Sequence, residues 1–179
     1  MCIRDRVITN AHVVAGTDET SVEVVNSRGR TRELSAAVIS YDPSNDLAVL
    51  YVRGLQAPTM AFAAEPAAIG DDAIVIGYPL DGPFTPTAAK VRDRIQLRGP
   101  NIYDSDEVTR EVYTVRAVVR SGNSGGPMIR PDGKVIGVVF GAALDDSETG
   151  FVLTGAQVKP TLDKAPTLTR PVDTGSCAA

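Results

Sequence analysis

The sequence predicts an all-β protein, closed as a barrel or stacked as a sandwich. Three observations carry that reading. Short β-type runs recur at even spacing, each bounded by Gly, Pro or Asp turn residues. Val, Ala, Gly and Thr are frequent and Trp is absent, which favours strands over long helices. One stretch alone, "AQVKPTLDKA" (156–165), has a helical look, and Pro160 limits or kinks it.

In chain order the expected strands begin with "VITN" (7–10), "SVEVV" (21–25), "ELSAAVIS" (33–40), "LAVLYV" (47–52) and "TMAFA" (59–63). An Ala/Pro stretch, "AAEPAAIGD" (63–71), reads as a linker. After it come "DAIVIGY" (72–78), "TPTAAKVRDRIQL" (85–97), "REVYTVRAVV" (110–119), "PMIR" (127–130), "KVIGVVFGAA" (134–143) and "GFVLTG" (150–155). This spacing divides the chain into a first β unit at 7–66, a second at 67–155, and a helix with a tail at 156–179. The opening "MCIRDR" runs straight into "VITNAHVV", which reads as the middle of a domain, so residues 1–6 are set aside as a non-native leader.

A chain of 179 residues buries one sizeable core or two small cores in contact. The net charge of −4 excludes the basic footprint of a nucleic-acid binder. No apolar run approaches the roughly 20 residues that span a bilayer. "GDDAIVIGYP" (70–79) is too poor in glycine to cradle a phosphate and opens no helix. "DTGS" (173–176) matches the aspartic-protease signature, but it lacks the packed strand that must follow and the second copy that must face it. No cofactor and no metal site is expected.

The chemistry is written in "RSGNSGGPMI" (120–129). Three glycines around one serine exceed what a hairpin needs. They suit a reactive hydroxyl, which requires open space and backbone N–H groups aimed at a neighbouring oxygen. A base and an acid are then required. His12, in "TNAHVV", is the one histidine of the chain. Asp46, in "YDPSNDLAVLYV", stands directly before an apolar strand, where its carboxylate is partly desolvated. Asp42 is the rival, read as turn chemistry because Asp-Pro-Ser commonly opens a turn.

The order His, Asp, Ser in "TNAHVV", "DLAVL" and "GNSGGP" resembles the chymotrypsin-like serine proteases. Together with "IGYPLDGPFT" and "VVFGAALDD", it is most similar to the actinobacterial membrane-anchored acid-resistance proteases, the MarP family. That resemblance runs from Val7 to about Gly155. It implies two six-stranded β-barrels with the triad between them and a short C-terminal helix. Strand counting against that pattern leaves the first barrel incomplete at its N-terminal side.

Carried onto this chain, the resemblance makes Ser124 the nucleophile, His12 the general base and Asp46 its orienting acid, with the Gly122 and Ser124 amides as oxyanion hole. It places a substrate pocket at Val118, six residues before the nucleophile, with Val139, Phe140, Gly141 and Ala142 as one wall. No acid stands there, so small or medium apolar side chains are expected at the cleaved position rather than Lys or Arg. Asn123 stands where many digestive relatives carry aspartate, and a neutral amide forms no ion pair with a new N-terminal amine. The resemblance further implies an exported enzyme on the periplasmic or cell-envelope side, membrane attachment through a region ahead of this chain, and a peptide or protein substrate of the envelope. It pairs Cys177 in a disulfide with a cysteine upstream of "TNAHVV" that this chain does not carry. Two other readings remain open at this level. One is a protease-like binding module without activity, the other an HtrA-like quality-control protease without its PDZ domain.

Overall fold

Two hydrophobic periodicities organise the chain, and the computed structural model shows where they lead. It describes residues 2–3, 5–26 and 28–178, with Cys2 and Ile3 described by backbone alone. The first half contains β1 (Cys2–Ile3), β2 (Arg6–Thr9), a one-turn helix α1 (Ala11–Val14), β3 (Thr20–Val25), β4 (Thr31–Asp42) and β5 (Leu47–Tyr51). The second contains β6 (Asp72–Gly77), β7 (Thr85–Pro100), β8 (Glu107–Arg116), β9 (Pro127–Ile129), β10 (Val135–Ala142) and β11 (Thr149–Thr154), followed by α2 (Gly155–Lys164). The early strands form an open five-stranded sheet in the order β1-β2-β5-β4-β3, and the later six close into a barrel, β10-β11-β8-β7-β6-β9.

Strand β5 shows how the halves are joined. Leu47 to Leu50 are all buried, so the run reads as continuously apolar rather than alternating. Ala48 and Leu50 pack with Val14, Val38 and Val52 in the core of the sheet. The opposite parity, Leu47 and Val49, packs with Ile8 and Ile39 against Val112, Val138 and Leu153 of the barrel and Val158 of α2. A third core, centred on Val75, Val91, Val115, Met128 and Val139, fills the barrel. Each fully buried Val, Leu or Ile contributes roughly 1.5–3 kcal/mol, so the shared core is strong enough to fix the two halves against one another.

Helix α2 begins where Thr154 caps it, its side-chain oxygen accepting from Gln157 N at 3.1 Å. It continues through Pro160 to Lys164, although proline removes one i→i−4 bond, because Val158 is wholly buried beneath it.

The double-unit, mostly β architecture with a short C-terminal helix agrees with the expected chymotrypsin-like fold, the first unit being an open sheet. One segment differs from the reading above. "TMAFA" is not a strand of the first sheet. Phe62 makes a single parallel bridge to Val135, and Ala63 N donates to Val135 O at 2.8 Å, so the alternation there serves contact with β10. Within the leader, Cys2 and Ile3 pair with Val7 and Arg6, and Asp5 O accepts from Val52 N at 2.9 Å. Met1 and Arg4 lie outside the described residues.

The tail is anchored to the first sheet by hydrogen bonds. Val172 N donates to Val38 O at 2.9 Å, Gly16 N to Thr174 O at 3.1 Å, and the Thr174 hydroxyl to Thr17 O at 3.1 Å. The last described residues therefore run back across the first sheet and brace the turn that follows α1. Cys177 stands there as a free, exposed thiol, while the side chain of Cys2 lies outside the described residues.

Candidate active site

His12 sits in the single turn of α1, between the end of β2 and the buried Val14. Its imidazole is about one-third exposed, whereas the Asp46 side chain is 5% exposed. Asp46 holds this turn at two points. Its Oδ2 lies 2.8 Å from His12 Nδ1, and its Oδ1 accepts the His12 backbone N–H at 3.0 Å. Asn10 would ordinarily cap such a helix through its side chain. Instead its Nδ2 donates to the Asp46 carbonyl at 2.8 Å, drawing the acid turn onto the histidine turn. An ionised Asp46 makes Nδ1 the protonated nitrogen, which leaves Nε2 as the atom able to take a proton.

Asp42 does what a turn residue does. Its carboxylate accepts Asn45 N at 3.0 Å and Asn45 Nδ2 at 2.6 Å, closing the bend that delivers Asp46. Asp46 itself adopts a left-handed conformation, φ 53°, which aspartate tolerates better than most residues.

Ser124 stands on the loop between β8 and β9. Gly122 has φ 89°, and a Cβ there would collide with the Tyr78 carbonyl oxygen. Gly125 has φ 76°, and a Cβ there would strike Thr9 and approach Asn10 N. The residue after Ser124 is thus packed directly on the segment that leads into His12. The Gly122 and Ser124 amides make no backbone hydrogen bond among the described residues, so both remain free to donate elsewhere.

The sequence from Cys2 to Val138 matches the trypsin-like peptidase domain. The chain belongs to the trypsin-like peptidase family. It is 52% identical over 176 residues to the serine protease Rv3671c of Mycobacterium tuberculosis, covering 98% of this chain and 43% of that protein. It is 30% identical to a probable periplasmic DegP-like serine endoprotease of Rickettsia conorii, covering 88% of this chain and 31% of that one. The chain therefore spans less than half the length of these curated relatives. Among solved structures, the active form of the Rv3671c protease superimposes with a TM-score of 0.90 at 52% identity, covering 98% of this chain and 75% of that one. The inactive form of the same protease gives 0.78 at 54% identity, covering 90% and 79%.

As a trypsin-like peptidase the molecule opens a cleft of about 740 Å³ beside Ser124, between the first sheet and the barrel. Val13, Val22, Met60, Tyr78 and Phe84 contribute its apolar lining, and Glu19 is the one carboxylate on it. The residues expected to form the substrate pocket, Val118 and Val139 to Ala142, stand outside this lining. Val118 is exposed on a separate groove that it shares with Lys90, Arg116 and Glu148. The Val139 side chain is buried in the barrel core, while its carbonyl accepts Gly125 N at 2.9 Å and so touches the nucleophile loop through the main chain. Phe140, Gly141 and Ala142 follow it on β10, where the register to β11 shifts between Val139 and Gly141.

Three polar residues around the acid escaped the sequence reading: Asn10, Arg110 and Gln157. Arg110 left a trace, because it occupies the inward parity of β8 between Val108 and Val112, where an apolar residue is the rule.

Proposed function

We propose that this chain is the peptidase portion of an exported serine endopeptidase acting through His12, Asp46 and Ser124. The observation that carries the reading is the two-point grip of Asp46 on His12, 2.8 Å at Nδ1 and 3.0 Å at the backbone N–H. It fixes both the orientation and the tautomer a general base requires.

The reaction follows from these roles. Ser124 Oγ attacks the scissile carbonyl carbon as His12 Nε2 removes the hydroxyl proton. The carbonyl π pair moves onto oxygen, and the Gly122 and Ser124 N–H groups receive the oxyanion. Collapse of this intermediate breaks the C–N bond, and imidazolium gives its proton to the departing amine. Water, deprotonated by His12, then attacks the acyl-enzyme and releases Ser124. Asp46 stays ionised throughout and stabilises the imidazolium.

Apart from Glu19, the lining near Ser124 is apolar or neutral, which supports small or medium apolar side chains at the cleaved position. Kinship with a probable periplasmic relative supports an exported enzyme. A cell-envelope protein as substrate and membrane attachment are proposed from the resemblance of the motifs alone. Cys177, close to Gly16 in the turn after α1, is proposed as one half of a disulfide.

A fluorophosphonate probe tests the reading. Covalent labelling at Ser124 is expected, with S124A and H12A each reducing peptide turnover by on the order of 10⁶-fold. An intact, folded chain that neither labels nor cleaves is a binding module instead.

A further inference from the structure

We propose that Arg110 is a positioning residue for the catalytic acid, fixing from the barrel the turn that carries Asp46, with Gln157 as its partner at the start of α2. The inference rests on the triad reading above. Arg110 is 5% exposed, deep between the two halves. Its Nε donates to Ser44 O at 2.8 Å and its Nη1 to Pro100 O at 3.2 Å, and the guanidinium carbon lies 5.9 Å from the Phe140 ring centre. No carboxylate approaches it within 4.0 Å among the described residues. A buried cation without an ion pair is a costly way to fill space that Leu or Met would fill better. What it gains is location. Burial pulls Arg110 below the ordinary arginine range, and Asp46 and then Asp42 pull it back up, so the carboxylates it acts upon are those of the acid turn.

A second support reaches the same turn. Gln157 Nε2 donates to Asn45 Oδ1 at 2.7 Å, and its Oε1 accepts Glu111 N at 3.0 Å. Arg110 and Glu111 are chain neighbours, so β8 and the first turn of α2 form one truss ending on Ser44 and Asn45. Asn10 completes it from the histidine side through the Asp46 carbonyl. The residue so enclosed is Asp46 at φ 53°, a left-handed backbone that persists where the surroundings over-determine it. Arginine is the residue suited to the task. It keeps its charge under desolvation and directs several N–H groups in fixed directions, so it anchors a carbonyl and places positive potential beside a buried carboxylate at once.

The test uses R110M, R110K and Q157M in the full chain, with two readouts. In R110M, kcat for a peptide substrate is expected to fall roughly 10- to 100-fold with KM within about threefold, the signature of a misplaced catalytic group. R110K recovers part of that loss, since an ammonium restores charge without the guanidinium fork. The second readout is the downfield proton resonance of His12 Nδ1–H against Asp46, unambiguous because the chain holds one histidine. It is expected to shift or broaden in R110M and in Q157M. The proposal is overturned if R110M retains kcat within twofold, if its loss merely tracks the unfolded fraction in a thermal melt, or if the His12 resonance stays in place. Should R110M fail to fold, R110K and Q157M carry both readouts. Should the wild type fail to label at Ser124, the proteolytic reading falls, while the resonance in unreacted protein still decides the role of Arg110.

Discussion

The turn that carries Asp46 and the loop that carries Ser124 are built by opposite means. Residues 42–46 are held by side chains: Asp42 on Asn45, Arg110 on Ser44, Gln157 on Asn45 and Asn10 on Asp46. Residues 120–126 are held by main chain: Leu80 N on Ser121 O at 2.8 Å, Asn123 N on Arg120 O at 3.0 Å, Gly125 N on Val139 O at 2.9 Å. The one fully buried side chain of that loop, Asn123, has no hydrogen-bond partner among the described residues for either amide atom. A carboxylate has to be gripped, so its turn recruits donors from both halves of the fold. The oxyanion hole proposed for the other loop has to stay open, and there side chains are replaced by hydrogen.

That contrast predicts different sensitivities. Apart from removal of Ser124 or His12 themselves, the largest effect belongs to the acid turn. D46N is expected to lower kcat by on the order of 10⁴-fold, because the amide favours the wrong imidazole tautomer. D42N retains a carbonyl acceptor for Asn45 N and should leave kcat within a few-fold, with a stability loss of about 0.5–1.5 kcal/mol by denaturant titration. A reversed ranking would move the acid to Asp42. The nucleophile loop follows. G122A has to displace the Tyr78 carbonyl and leave φ 89°, and kcat should drop roughly 10²- to 10³-fold, the size found when an oxyanion donor is lost. A wild-type rate in G122A would show that this amide is not a donor.

The smallest effect lies at the edge of the truss. The Arg94 hydrogen bond, opposed by burial and aided by Thr154, holds the Glu111 carboxyl below its usual range. A carboxyl depressed by folding stabilises the protein above its unfolded pKa, near about 4.3, and loses that contribution as pH falls through the lower folded value. E111Q should therefore lower Tm slightly at neutral pH, with the difference from wild type vanishing on acidification. Thermal melts across that range check it, and a pH-independent difference would assign the effect to packing.

What the sequence made legible divides along the same line. Ser124 could be found because the glycine requirement at 122 and 125 is local, written within three residues. The strands could be found because parity repeats every second residue, as in β3, whose exposure alternates without a break. Arg110 was hidden because its meaning depends on Ser44, 66 residues away, and a charged residue in a strand ordinarily faces water. "TMAFA" was misread for the converse reason: its alternation is real, but periodicity does not name the neighbour it serves. The anchors of the C-terminal segment were not legible because proline and small polar residues carry no pattern, whereas its contacts with Val38, Gly16 and Thr17 are tertiary.

Those anchors also set a schedule for synthesis. Thr174 meets Thr17 across 157 residues, so the support behind the histidine turn is made long after the turn itself. At about 5–20 residues per second, the first sheet waits roughly 8 to 30 seconds with that turn unbraced. The brace behind the histidine turn is thus complete only after the barrel, the Ser124 loop and α2 have all been made.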